Sequence, residues 1–170
     1  MLKKVEVAIL SFHITGRAHH MIQWQKIPFS KLTTPQLYDL LRLRVDVFVV
    51  EQTCPYPELD GKDCVDGVYH LIGIKNNEMV ACARLLPPGT SYDHVSIGRV
   101  ATKESARGHG FGHQLLSEAL LHCEELWPGE TIDIGAQEHL THFYQKHGFT
   151  VISDMYLEDD IPHVDMRLEK

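Results

Sequence analysis

The chain has 170 residues, a length that suits one domain able to bury a proper core. With 44% hydrophobic and 23% charged residues and a formal net charge of −7, it lacks the basic face of a general nucleic-acid binder. The acidic balance permits a cationic or amine-bearing small substrate, and no stretch nears the ~20 apolar residues of a membrane span.

At the N-terminus, Lys3-Lys4 precedes a brief apolar run interrupted by Glu6 and His13, with no small-residue cleavage site, so it makes a poor signal peptide. Residues 1–20 are expected to be an extension of uncertain structure and 21–170 the domain. Cys54, Cys64, Cys82 and Cys123 show no Cys-x-x-Cys spacing, which fits reduced cysteines in a cytoplasmic protein. A zinc site from Cys54, Cys64 and His70 matches no standard spacing.

Ile22 to Ile27 reads as a first strand. Thr34 is a good N-cap with Pro35 at the first helical position, and Leu37, Leu40, Leu41, Val45 and Phe48 share one helical face. The Val47–Val50 run continues that face and is expected to stay helical until Cys54-Pro55-Tyr56-Pro57 stops it. An acidic loop with Glu58, Asp60, Asp63 and Asp66 follows, to which Arg44 is expected to pair rather than to substrate. Strands at 68–75 and 79–86 join through Asn76-Asn77, residues that tolerate the positive φ of a tight hairpin. Beyond Pro87-Pro88-Gly89 come a strand around Ser96–Ala101 and a helix with Phe111, Leu115, Ala119 and Cys123 on one face, closed by Trp127-Pro128-Gly129. Thr131 to Ala136 is a β-branched strand and Glu138 to His147 a short helix ended by Gly148. Val151–Tyr156 and Val164–Leu168 are two last strands around Asp159-Asp160-Ile161-Pro162.

Between the strand and the long helix lies Arg107-Gly108-His109-Gly110-Phe111-Gly112. Alternating glycines at a helix start let successive amides turn toward one anion, and the first helical turn adds unpaired N–H groups and the positive dipole end. This is the local chemistry of a phosphate cradle. Gly112-His113-Gln114 lacks the Lys and Ser/Thr of a P-loop, and the third glycine of a dinucleotide fingerprint would fall on His113. A glycine-rich helix start with no ligand is the plain alternative.

Arg107-x-x-Gly110-x-Gly112, six residues after the strand, resembles motif A of the GCN5-related N-acetyltransferase (GNAT) family. Phe143-Tyr144-Gln145-Lys146-His147-Gly148-Phe149 is similar to that family's Phe-Tyr-x-x-x-Gly-Phe. Gln137 and Leu140 depart from the Asn and Ala found seven and four residues before the tyrosine in many members. Leu43 to Tyr56, followed by Asp60, Asp63 and His70, and Ile161-Pro162-His163 near the end, resemble the ElaA subgroup. The resemblance covers about Met21 to the C-terminus. It implies an α/β (α+β) fold, with a mixed, mostly antiparallel sheet flanked by helices and splayed between its fourth and fifth strands.

The same resemblance implies acetyl-CoA as co-substrate, an amine acceptor, direct transfer and no metal. Arg107, Gly108, His109, Gly110, Phe111 and Gly112 would hold the pyrophosphate, and Arg99, Val100 and Ala101 would lie along the pantetheine arm, with an amide near Val100 facing the thioester oxygen. Tyr144 is the candidate general acid; without the motif it reads as a packing tyrosine beside Phe143 and Phe149. Glu51 is the candidate base, with His70 and His94 competing; its plain reading is an exposed or capping carboxylate. His109 and His113 sit i, i+4 but suggest no third metal ligand, and histidines 139, 142 and 147 read as a solvated helix face. A non-catalytic acyl-CoA-binding module and a longer-chain N-acyltransferase, as in acyl-homoserine-lactone synthases, are the alternatives. The acceptor's identity stays unnamed and a homodimer stays open.

Overall fold

A computed structural model describes residues 21–170; the extension expected at 1–20 lies outside the described residues. Strand β1 (Gln23–Pro28) passes through a short turn into helix α1 (Thr34–Val45). The N-cap is Thr33, not the expected Thr34. The Thr33 hydroxyl accepts from the Gln36 amide at 3.3 Å, and Gln36 Oε1 accepts from the Thr33 amide at 3.0 Å. That reciprocal box needs a hydroxyl and a glutamine three residues apart, which only position 33 supplies. Pro35 then falls one place further into the first turn, where its missing N–H still has no helical partner to lose.

The Val47–Val50 run stays helical, as its apolar face predicts, in the form of π turns over Asp46–Glu51. Strands β2 (Tyr69–Lys75) and β3 (Glu78–Leu86) form the expected hairpin, with φ of 51° and 60° at Asn76 and Asn77. Then follow β4 (Val95–Thr102), α2 (Phe111–Leu126), β5 (Ile132–Gln137) and the short α3 (Thr141–Gln145).

The C-terminal region departs from expectation. The strand expected at Val151–Tyr156 is two pieces, β6 (Thr150–Val151) and β7 (Tyr156–Glu158). Between them the Asp165 amide donates to Ser153 Oγ at 2.8 Å, so a side chain takes the place of a backbone ladder partner. Strand β8 (Ile161–Leu168) starts earlier than expected, because Asp159 and Asp160 both adopt positive φ and close a tight β7–β8 hairpin.

The sheet runs β1-β2-β3-β4-β5-β8-β6, with β7 also on β8. Every pairing is antiparallel except β4–β5. Those two strands pair only at Val95–Ile132 and Ser96–Asp133; beyond that vertex they diverge. Period-two alternation sorts the core onto two faces. Leu115, Leu116, Ala119 and Cys123 of α2 pack with Leu71, Ala83, Leu85 and Ile97, while Leu40 and Leu43 of α1 and Val47 of the π turns pack with Ile72, Cys82 and Ala101. Helices on opposite faces of a splayed sheet leave a passage through it.

Candidate active site

The passage is a cavity of about 870 Å³, within the size range of small-molecule sites. Its walls include Ser96 to Thr102 of β4, Gly135 and Gln137 of β5, and Phe143 and Tyr144 of α3.

Strand β4 bends where the cavity opens. The β3–β4 register shifts between Cys82 and Arg84, and Arg99 takes a φ of 53°, a left-handed conformation rare for a side-chain-bearing residue. The bulge is tied down through its own side chain: Arg99 Nε donates to Glu58 Oε1 at 3.1 Å, and Nη2 to the Glu58 carbonyl at 3.2 Å. Arg99 therefore points into the acidic loop, while Val100 and Ala101 continue along the cavity wall.

That loop is a buried ion network. Arg44 donates to Glu58 at 2.6 and 2.5 Å and to Asp63 at 2.7 Å, and Arg84 reaches Asp60 and Asp63. The pairing of Arg44 with the loop is as expected. Burial alone would lower Arg44, but hydrogen bonds and charge from Glu58 and Asp63 raise it. Burial likewise raises Asp63, and Arg44 and Arg84 outweigh it to leave the carboxyl lowered.

At the other end, Gly110 caps α2 with a φ of 73° and no side-chain hydrogen bond. The amides of Phe111, Gly112 and His113 are thus the orphan donors of a sixteen-residue helix. A Cβ built at Gly108 or Gly110 would meet nothing within 4 Å, so the loop is open on its outer side. His109 is exposed there.

Arg107 has a partner that its position in the chain conceals. Its Nη1 and Nη2 donate to the two oxygens of Glu51 at 2.6 and 2.8 Å, and its Nε to the Thr102 carbonyl at 3.1 Å. The Glu51 carboxylate, expected to serve as base, is bonded on both oxygens to the guanidinium, and that hydrogen bond lowers its pKa.

Tyr144 is 7% exposed and packs edge-on to Phe143 and Phe149, yet it lines the cavity. Burial pushes its phenol up to about 12. His70 is buried beneath the ion network, 3.3 Å from the Asp63 carbonyl, and burial lowers it. Neither His70 nor His94 is part of the cavity wall. His139 and His142 are exposed as expected, whereas His147 is half-buried and stacks on His113 with ring nitrogens 2.9 Å apart. The four cysteines are unpaired, and no group of three or more His, Cys, Asp or Glu among the described residues could hold a metal.

On the α1 side of β5 and β8 the wall is polar and aromatic. Tyr92 and Tyr156 both donate to Asp165 Oδ1, at 3.0 and 2.9 Å. They meet over Gly135, where a Cβ would stand 2.8 Å from the Tyr92 hydroxyl, so only glycine admits this closure. His163 and Glu158 complete that side. Sequence reading placed His163 in a motif without giving it a role. Tyr92, Tyr156 and Asp165 were missed, since 73 residues separate Tyr92 from Asp165 and no local period links them.

Comparison with known proteins agrees with this geometry. An acetyltransferase (GNAT) domain model matches residues 48–170. Protein ElaA of Escherichia coli K12 is 46% identical over 149 residues, covering 88% of this chain and 97% of that protein. The crystal structure of Escherichia coli ElaA superposes with a TM-score of 0.83, covering 88% of this chain and all of that one. An acyl-CoA N-acyltransferase from Pseudomonas aeruginosa is 44% identical, with a TM-score of 0.82 over 86% of this chain and 98% of its own.

Proposed function

The chain belongs to the GNAT acetyltransferase family, and from that premise we propose that it is an acetyl-CoA-dependent N-acyltransferase. Transfer is direct, from the bound thioester to an amine acceptor. The observation that carries this is the passage at the β4–β5 splay, with an open glycine loop at one end and a phenol in its wall. The amides of Gly108 to Gly112 and the helix start are suited to the coenzyme pyrophosphate, with His109 and Phe111 shaping the loop and Arg107 at its edge. The free edge of β4, at Val100 and Ala101, is suited to the amides of the pantetheine arm, with the Val100 region facing the thioester oxygen. The similarity to an acyl-CoA N-acyltransferase from Pseudomonas aeruginosa is consistent with this.

Tyr144 is assigned as the acid. A tyrosine phenol is protonated through neutral pH, so Tyr144 can give its proton to the departing thiolate as the C–S bond breaks. Glu51 is assigned to hold Arg107 rather than to take the amine's proton, because its lowered pKa makes it a weak base. The four unpaired cysteines support a cytoplasmic location, and no described helix is long and apolar enough to cross a membrane.

The test is to incubate the protein with acetyl-CoA and a panel of amines, following thiol release together with the acetylated amine by mass spectrometry. Stoichiometric thiol and acetyl-amine are expected. Tight coenzyme binding without turnover on any amine would instead favour a non-catalytic acyl-CoA-binding module.

A further inference from the structure

Amine acetylation needs a group that takes a proton from the ammonium form of the acceptor. Glu51 is bonded to Arg107, and His70 and His94 stand outside the cavity wall. Of the two histidines in that wall, His139 is exposed and His163 is enclosed. His163 lies on β8 opposite Gln137 of β5 and Tyr156 of β7, on the same side of the strand as Asp165. Its side chain is 12% exposed, and its ring stacks on that of Tyr156 at 6.0 Å and 24°.

The ring is fixed in tautomer as well as in place. Nδ1 is 2.8 Å from the Ile161 carbonyl oxygen. A carbonyl only accepts, so Nδ1 carries the hydrogen and Nε2 of the neutral ring carries the lone pair. The Glu158 carboxylate stands 3.7 Å from Nε2. The titratable groups against the ring are Glu158 and Tyr156, with Asp159 in the adjoining turn.

We infer that His163 is the catalytic base that deprotonates a primary ammonium acceptor, with Glu158 drawing the cation to it. This rests on the transferase reading above. Nε2 takes one proton from R–NH3+ to leave the free amine. The nitrogen lone pair forms the N–C bond at the thioester carbon, and the C–S bond then breaks. The thiolate takes the Tyr144 proton, the nitrogen's surplus proton restores the phenol, and His163 returns its own to water. Ammonium and acetyl thioester thus become acetamide, thiol and one free proton.

The experiment compares the wild type with His163→Gln and His163→Ala in single-turnover acetyl transfer to tyramine, spermidine and a lysine-containing peptide, from mildly acidic to alkaline pH. Acetyl-CoA affinity, measured by calorimetry on each variant, reports an intact fold. For the wild type, the rate should fall on the acidic side, as it must for any base that has to accept the acceptor's proton. At neutral pH both variants should lose about 10²–10⁴-fold, the usual contribution of a general base. Their acidic limb should move toward the amine's own ionisation, and free imidazole should restore part of the His163→Ala rate. Wild-type turnover with an unaltered rate and limb in folded His163→Gln overturns the role of His163 alone. A wild type inert toward all three amines overturns the transferase reading, and this role with it.

Discussion

Tyr144 and Glu51 were the two side chains to which the sequence attached chemistry, and their surroundings divide them. Tyr144→Phe keeps the ring and its edge-on contacts with Phe143 and Phe149 while deleting only the acidic proton. Single-turnover acetyl transfer should fall by about 10²–10⁴-fold with the coenzyme dissociation constant nearly unchanged. A purely structural tyrosine would give normal turnover and a modest stability change. For Glu51→Gln the expectation follows from the bidentate pair. An exposed ion pair is worth up to about 1 kcal/mol, so freeing Arg107 toward the pyrophosphate should tighten acetyl-CoA binding by no more than about fivefold. Calorimetry showing weaker binding would contradict this, as would loss of the acidic limb of the rate profile.

At the scale of elements, the glycine loop and α2 act as one unit. Gly110→Val places a side chain where φ is 73°, a conformation that costs an L-residue about 1–2 kcal/mol. The same side chain would project into the open space outside the loop. Acetyl-CoA affinity should therefore fall by well over the roughly tenfold that such strain would account for; unchanged affinity in a folded variant would remove the loop from the site. Much of this unit was legible, because the 3.6-residue period of Phe111, Leu115, Ala119 and Cys123 and the glycine spacing are local signals. The Phe143–Phe149 segment was legible only through its resemblance to the family motif, since by itself Tyr144 reads as a packing tyrosine. The Glu51–Arg107 pair was not: its members are 56 residues apart, one in the turns after α1 and the other in the loop before α2. The split of β6 from β7 was hidden for a related reason, since Ser153 competes for the Asp165 amide through a side chain that propensity cannot weigh.

Across the whole molecule, the ion network around Arg44 and Arg84 sets a dependence on pH. Asp60 and Asp63 have lowered folded-state values, so the stability they contribute is present above the unfolded carboxyl value of about 3.9 and is lost as pH falls below it. Arg44→Ala would leave Glu58 and Asp63 buried with one partner fewer, a loss of about 3–5 kcal/mol in urea unfolding at neutral pH. The variant's stability should also decline less steeply on acidification, because part of the linkage is already gone. An equal slope in both proteins would place the acid sensitivity elsewhere.

The sheet itself carries the central claim, for its two halves meet at only two residue pairs and hold a passage between helices on opposite faces. The most direct test is a titration of the nitrogen-15-labelled protein with acetyl-CoA, read by backbone amide NMR. The largest shifts should fall together on Gly108 to His113 at the start of α2 and on Val100 and Ala101 of β4, with desulfo-CoA displacing acetyl-CoA from the same amides. Shifts confined to β6 and β7, or none at a coenzyme concentration that saturates turnover, would contradict it.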